Sequence, residues 1–264
     1  MSEQLYKLIA EALERGESVA LCTITESRGS TPRHTGSKML VYEDGHFIGT
    51  VGGGELEYRV LNAALLAIEE GKPAKLNYSM TDPARGDPGV CGGQVEVFVE
   101  PIRPKEKIVV IGGGHVGKAV AHLAKWLGYT VAVSDDRAEF CTPEMNPDAD
   151  EFYPVPMEAL PSHLNINRST YLILTTRGSN VDVPGLPPLL ESKAGYLGVI
   201  GSKRRWATTL QGLKAQGVSE AALARVHSPM GLELNAETPE EIAVSILAEI
   251  IMLKHGGDGK QMKK

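Results

Sequence analysis

A chain of 264 residues with a formal net charge of −6, and no basic run longer than Lys203-Arg204-Arg205, argues against a nucleic-acid partner. Its 42% hydrophobic and 23% charged content is ordinary for a globular protein with room for two modest cores, and no apolar stretch approaches the roughly 20 residues that a membrane span needs. The three cysteines, Cys22, Cys91 and Cys141, lie far apart, which argues against a disulfide scaffold or a zinc clip and suits a reducing, cytoplasmic setting.

The chain starts as an acidic amphipathic helix rather than a signal peptide. Ser2 can cap it, Leu5, Leu8, Ile9, Ala12 and Leu13 share one face, and Gly16 stops it. Val19–Ile24 reads as a strand. Lys38–Tyr42 and His46–Val51 flank Asp44-Gly45, whose preference for positive φ angles predicts a hairpin. A helix follows at Glu55–Glu70, ended by Gly71-Lys72-Pro73, and strands follow at Ala74–Ser79 and Gln94–Glu100. Strands clustered around a couple of helices predict a small α+β domain over residues 1–101.

The polar, proline-rich segment 101–106 is the expected join. Beyond it strands and helices alternate. Strands are predicted at Ile108–Ile111, Thr130–Ser134, Tyr171–Thr175 and Tyr196–Ile200. Helices are predicted at His115–Leu127, Pro156–His163, Val183–Ser192 and Ser202–Gln216. This alternation predicts an α/β domain over residues 106–256 with a Rossmann-like, doubly wound parallel sheet. A last helix, Pro239–Lys254, is capped by Thr238, and residues 257–264 are expected to be a flexible tail.

The run Lys107–Ile111 stops at Gly112, Gly114 and Gly117, spaced G-x-G-x-x-G, and opens a helix. Backbone N–H groups and the positive helix end then face whatever sits above the turn, which makes it a seat for a phosphate or pyrophosphate. The next strand ends at Asp135, 23 positions after Gly112, close to the ~20 expected of a carboxylate that takes a ribose hydroxyl. Arg137 could instead pair with a 2′-phosphate. Gly112, Gly117 and Lys118 also resemble a P-loop, but Ala119 stands where that motif needs a hydroxyl for Mg²⁺. The alternative is a Rossmann-shaped domain that has lost its nucleotide.

The sharper motifs lie elsewhere. They are Glu26-Ser27-Arg28-Gly29-Ser30-Thr31-Pro32-Arg33, Gly49-Thr50-Val51-Gly52-Gly53-Gly54-Glu55-Leu56-Glu57 and Gly89-Val90-Cys91-Gly92-Gly93-Gln94 in the first part. The second part adds Gly198-Val199-Ile200-Gly201-Ser202-Lys203-Arg204-Arg205, His227-Ser228-Pro229-Met230-Gly231-Leu232 and Thr238-Pro239-Glu240-Glu241-Ile242. Together these resemble the XdhC/CoxI family, accessory proteins of xanthine dehydrogenase and related molybdenum hydroxylases, over nearly the whole chain. One departure is Asn235, where the pattern leads one to expect glycine; it puts the shape of that loop in question. The resemblance implies an N-terminal XdhC domain joined to a Rossmann domain, and a homodimer. It also implies a protein that binds the molybdenum cofactor (molybdopterin), protects it, supports exchange of an oxo for a sulfido ligand and delivers it to a xanthine dehydrogenase-type hydroxylase. The sulfur would come from an outside donor, a cysteine desulfurase.

Under that resemblance several residues become candidates. Arg28 and Arg33 bracket a turn and offer forked donors suited to phosphate; the alternative is a solvated surface turn. Gly53 and Gly54 would permit close backbone approach, with Glu55 as a polar contact, or would simply form a tight turn with an acidic first helical turn. Cys91, between glycines, is the candidate for chemistry, as a sulfur carrier or a transient molybdenum contact; the alternative is a small buried filler. Cys22 and Cys141 read as structural. His115 lies in the glycine turn, above the strand ends. Lys203 and Arg204 open a helix where positive charge is unhelpful, which favours an anion contact. The competing functions are an NAD(P)-dependent oxidoreductase and a nucleotide-sensing module. No tyrosine–lysine pair of the short-chain type supports the former, so a cofactor carrier is favoured over a stand-alone catalyst.

Overall fold

A computed structural model describes residues 2–80 and 92–262. The chain divides into two compact units, Met1–Pro104 and Lys105–Lys264.

The first unit runs α1 (Ser2–Glu14), β1 (Val19–Arg28), β2 (Lys38–Tyr42), β3 (Phe47–Gly49), α2 (Gly54–Glu70), β4 (Ala74–Ser79) and β5 (Gln94–Ile102). The strands form one antiparallel sheet in the order β3-β2-β1-β5-β4. Alternation along β1 decides which helix covers which face. Ala20, Cys22 and Ile24 pack with Leu56, Val60 and Ala64 of α2, while Val19 and Leu21 pack with Leu5, Ile9 and Ala12 of α1. β1 continues past the predicted end at Ile24, because its polar half still pairs with β5 after a register irregularity between Ile24 and Glu26. β3 is shorter than expected. A Cβ on Gly49 would stand 2.4 Å from the Lys38 carbonyl oxygen, so the chain crosses there at glycine contact and leaves the sheet.

The second unit runs β6 (Lys107–Ile111), α3 (His115–Trp126), β7 (Thr130–Ser134), β8 (Glu151–Tyr153), β9 (Thr170–Leu174), α4 (Ser179–Leu190), β10 (Tyr196–Val199), α5 (Lys203–Ala215), α6 (Glu220–Leu223), β11 (Val226–His227) and α7 (Pro239–His255). All its strand pairs are parallel, in the order β11-β10-β9-β6-β7-β8. Counted within this unit from its other edge, that is 3-2-1-4-5-6, the Rossmann order. Two short edge strands, β8 and β11, were not expected; three and two residues are too few to carry an alternating pattern. The helix predicted at Pro156–His163 is a 3₁₀ segment, Met157–Ser162, with Pro161 inside it. α4 starts at Ser179, before the predicted Val183, and runs through Pro184. That proline costs the bond to the Asn180 carbonyl, but Asn180 is exposed and water can serve it. Asn235 takes φ 52°, the left-handed region that asparagine tolerates, and so supplies the conformation expected of glycine there.

Candidate functional site

At the C-terminal end of β6 the chain turns through Gly112 at φ 113°. A Cβ on Gly112 would lie 2.7 Å from the Thr175 carbonyl oxygen, and one on Gly117 would lie 2.0 Å from the Gly112 carbonyl oxygen, so helix and strand touch backbone to backbone. Gly112 N–H donates to the Ser134 carbonyl at 2.7 Å, and Thr175 Oγ1 donates to the Gly112 carbonyl at 2.7 Å. Gly114 is different. No atom stands within 4 Å of a Cβ built on it, and as N-cap of α3 it gives the first-turn amides no side-chain acceptor. His115, the first helical residue, is exposed beside them. Gly114 and His115 therefore present the open side of the turn, while Gly112 and Gly117 build it.

Asp135 is committed to that turn. Its side chain is only 2% exposed. Oδ2 accepts Gly113 N–H and Arg137 Nη2, both at 2.9 Å; Oδ1 accepts Arg137 N–H and Nε, both at 3.0 Å. Burial alone would raise this carboxyl, but the Arg137 guanidinium and the amides outweigh it and hold the group below the usual range. The Arg137 guanidinium also lies over the Phe140 ring, 3.9 Å from its centroid. A ribose hydroxyl would have to displace this arginine to reach Asp135, and a 2′-phosphate would have to compete with Asp135 for Arg137.

Where β9, β6 and β7 end, the strand order reverses and a cleft of about 400 Å³ opens. This is the topological switch point, where open α/β sheets take ligands. Its lining combines the apolar Val155, Met157 and Pro184 with the charged Asp136, Arg137, Glu158 and Arg177. The loop that presents Arg177 is held from behind. Arg205 of α5 donates to the fully buried Asp182 from Nε (3.2 Å) and Nη2 (2.8 Å), and to Thr176 through its carbonyl and hydroxyl. Thr176 donates its own hydroxyl to Asp182. Of the predicted basic cluster, Arg205 is thus internal, whereas Lys203 and Arg204 are exposed on the first turn of α5 and do not line the cleft. Asp136, Thr176 and Arg177 were missed from the sequence. The signal for Thr176 and Arg177 was the polar segment Thr175–Asn180, which leaves a strand and opens a helix as the glycine turn does; that for Asp136 was the acidic pair it forms with Asp135 at the end of β7.

The first unit brings its motifs together at one end of its sheet. A Cβ on Gly52 would lie 2.7 Å from Pro32 Cγ, and one on Gly93 would lie 2.3 Å from the Ser30 carbonyl oxygen and 2.7 Å from that of Arg28. The Arg28–Arg33 turn therefore packs directly on both glycine segments. Arg28 is exposed and pairs with Glu26 at 2.6 Å; Arg33 and His34 are exposed. Gly53 caps α2 and Gly54 begins it, both open to solvent-side space. Glu55 pairs along the helix with Arg59 at 2.9 Å; the acid that serves the loop is Glu57, which accepts Thr50 Oγ1 at 2.6 Å and Val51 N–H at 3.2 Å. Cys91, the candidate for chemistry, lies outside the described residues. Cys22 and Cys141 are buried, and burial pushes the Cys22 thiol up to about 12 and raises that of Cys141. Neither is a ready nucleophile.

The motif His227–Leu232 serves the fold. Glu249 of α7 accepts Tyr196 Oη at 2.6 Å and Gly231 N–H at 2.7 Å, and lies 3.5 Å from His227 Nδ1, whose ring stacks on Tyr196. Burial would raise Glu249, but hydrogen bonds from His227, Tyr196 and the Gly231 amide outweigh it and hold the carboxyl low. A carboxyl depressed in the folded chain stabilises it above the unfolded value of about 4.3 and loses that contribution as pH falls through the folded pKa. Glu249→Gln is expected to lower stability at pH 7, with the deficit shrinking below about pH 4. Denaturant melts of both proteins at pH 7 and pH 3 check this; a deficit independent of pH would contradict it.

Residues 108–250 match the model of the XdhC Rossmann domain, and residues 12–79 that of the XdhC and CoxI family. Among curated relatives, the uncharacterized protein YqeB of Escherichia coli (strain K12) is 36% identical over 97% of this chain and 47% of its own length. The chain thus spans about half of that relative. The molybdenum cofactor insertion chaperone PaoD of the same organism is 24% identical over 95% of this chain and 88% of its own. A solved structure described as a xanthine dehydrogenase from Bacillus halodurans is similar in fold, with a TM-score of 0.50 and 23% identity over 98% of this chain and 97% of that one.

Proposed function

Because the chain belongs to the XdhC and CoxI family, we propose that it is a molybdenum-enzyme maturation protein, which binds the molybdenum cofactor, supports its sulfuration and delivers it to a xanthine dehydrogenase-type hydroxylase. The observation that carries this reading is the open switch-point cleft beside an uncapped glycine turn. It offers backbone donors and the Arg177 guanidinium to the phosphate end of a pterin, and the apolar side chains of Val155, Met157 and Pro184 to its rings. The name of the relative PaoD supports the same class of cargo. An NAD(P) reading fits less well, because Asp135 is already saturated by Arg137 and Gly113.

In this proposal Gly114 and His115 receive the phosphate. Arg28, Arg33, Gly53, Gly54 and Glu55 of the first unit, with Lys203 and Arg204 of the second, are further candidate contacts from the sequence. Cys91 is the proposed sulfur or molybdenum contact, fed by a cysteine desulfurase, and the working form is proposed to be a homodimer in the cytoplasm. The test is reconstitution of a cofactor-free hydroxylase with protein loaded with sulfido-cofactor. Wild type is expected to activate it, and Cys91→Ala to lose that activation while keeping its circular dichroism. Failure of wild type to activate any molybdenum hydroxylase of this class overturns the reading; full activation by Cys91→Ala removes the cysteine from it.

A further inference from the structure

We propose that Arg177 and Asp136 form a latch across the glycine turn, opened when a phosphate-bearing heterocycle takes Arg177 away from Asp136. The inference rests on the phosphate seat described above and names a residue that releases into it.

The topology puts the pair in place. Asp136 follows β7 and Arg177 follows β9, and these strands are not neighbours, because β6 lies between them. Strands two places apart in a sheet are separated by about 10 Å. A direct ion pair between their ends must therefore pass over the end of β6, where the chain enters Gly112. Arg177 Nη2 meets Asp136 Oδ1 at 2.9 Å and Oδ2 at 2.7 Å.

Three features fit this pair for exchange rather than for support. First, both side chains are half-exposed, 46% for Arg177 and 44% for Asp136. Surface pairs of this kind contribute little to stability, so breaking one costs little. The neighbouring Arg137–Asp135 pair is the opposite case, with its carboxylate buried and bonded to the turn. Second, a single guanidinium nitrogen serves both Asp136 oxygens. Among the described residues Nε and Nη1 of Arg177 have no partner, and the Nε–Nη2 fork becomes whole for a phosphate only when Asp136 gives up Nη2. Third, both residues line the same cleft as Ser134, whose buried hydroxyl also has no partner among the described residues. The ligand class follows from the lining. An anionic phosphate or diphosphate suits the arginine and the turn amides, and a flat ring suits Val155, Met157 and Pro184.

The experiment is calorimetric titration of inorganic pyrophosphate and of ADP into wild type, Asp136→Asn, Arg177→Gln and the double variant. Asp136→Asn is expected to bind pyrophosphate about two- to fivefold more tightly, the scale of a half-exposed ion pair, and Arg177→Gln more weakly than wild type. The gain from Asp136→Asn should vanish in the Arg177→Gln background. A gain that persists there reflects the removed charge alone and overturns the latch, as does pyrophosphate binding by none of the four proteins. ADP binding more tightly than pyrophosphate supports the ring contact; equal affinity for both removes the heterocycle from the proposal. These outcomes are separate from the hydroxylase assay, which can fail while the titration succeeds.

Discussion

Arg205→Met is expected to destabilise the chain by about 3–5 kcal/mol, the usual result of removing one partner from a buried ion pair. Asp182 is fully buried, and its charge is met there by Arg205, with the Thr176 hydroxyl donating as well. Methionine fills much of the volume but leaves the carboxylate without its cation. For a unit of this size the melting temperature should fall by on the order of 10 °C. Arg205→Lys should recover only part of the loss, because an ammonium cannot reach Asp182 and the Thr176 carbonyl together as the fork does. Denaturant titration at pH 7 reads both variants. A loss below about 1 kcal/mol for Arg205→Met would mean that the triad is a solvated contact and not a clamp.

The second large effect separates two glycines of one motif. Gly117→Val puts a Cβ 2.0 Å from the Gly112 carbonyl oxygen, so the turn itself must move. Overpacking of this kind costs about 1–3 kcal/mol or more, and pyrophosphate binding should be lost along with stability. Gly114→Val meets no neighbour, and its backbone φ of −71° suits any residue. The fold should stand while a branched side chain covers the first-turn amides of α3. A fall of at least about tenfold in pyrophosphate affinity with an unchanged melting temperature is the expected result. Equal affinity for Gly114→Val and wild type would place the anion elsewhere.

What the sequence made legible follows from periodicity and from backbone chemistry. The apolar runs of β6, β7, β9 and β10 are buried on both faces, and their spacing by helices made the parallel sheet readable before any topology was known. The glycine turn was readable because close helix–strand contact admits no side chain at Gly117. β8 and β11 were not, since edge strands of three and two residues hold their place by pairing with a longer neighbour. The three N-terminal motifs were visible one by one. Their meeting was not, because it depends on contacts such as Gly93 against the backbone of Ser30. Charged residues were the least legible. Spacing placed Asp135 correctly at a strand end, but only the fold gives Arg137 to it; likewise it marked a basic cluster without telling the internal Arg205 from the exposed Lys203 and Arg204.

The most direct measurement of the proposed carrier role is mass spectrometry of what co-purifies from a molybdenum-replete host, run on wild type and on Gly114→Val. A molybdopterin-bearing wild type beside a folded Gly114→Val depleted of pterin is the expected result. Wild type that carries no pterin, or two proteins that carry it equally, would contradict a cofactor held by its phosphate at the glycine turn.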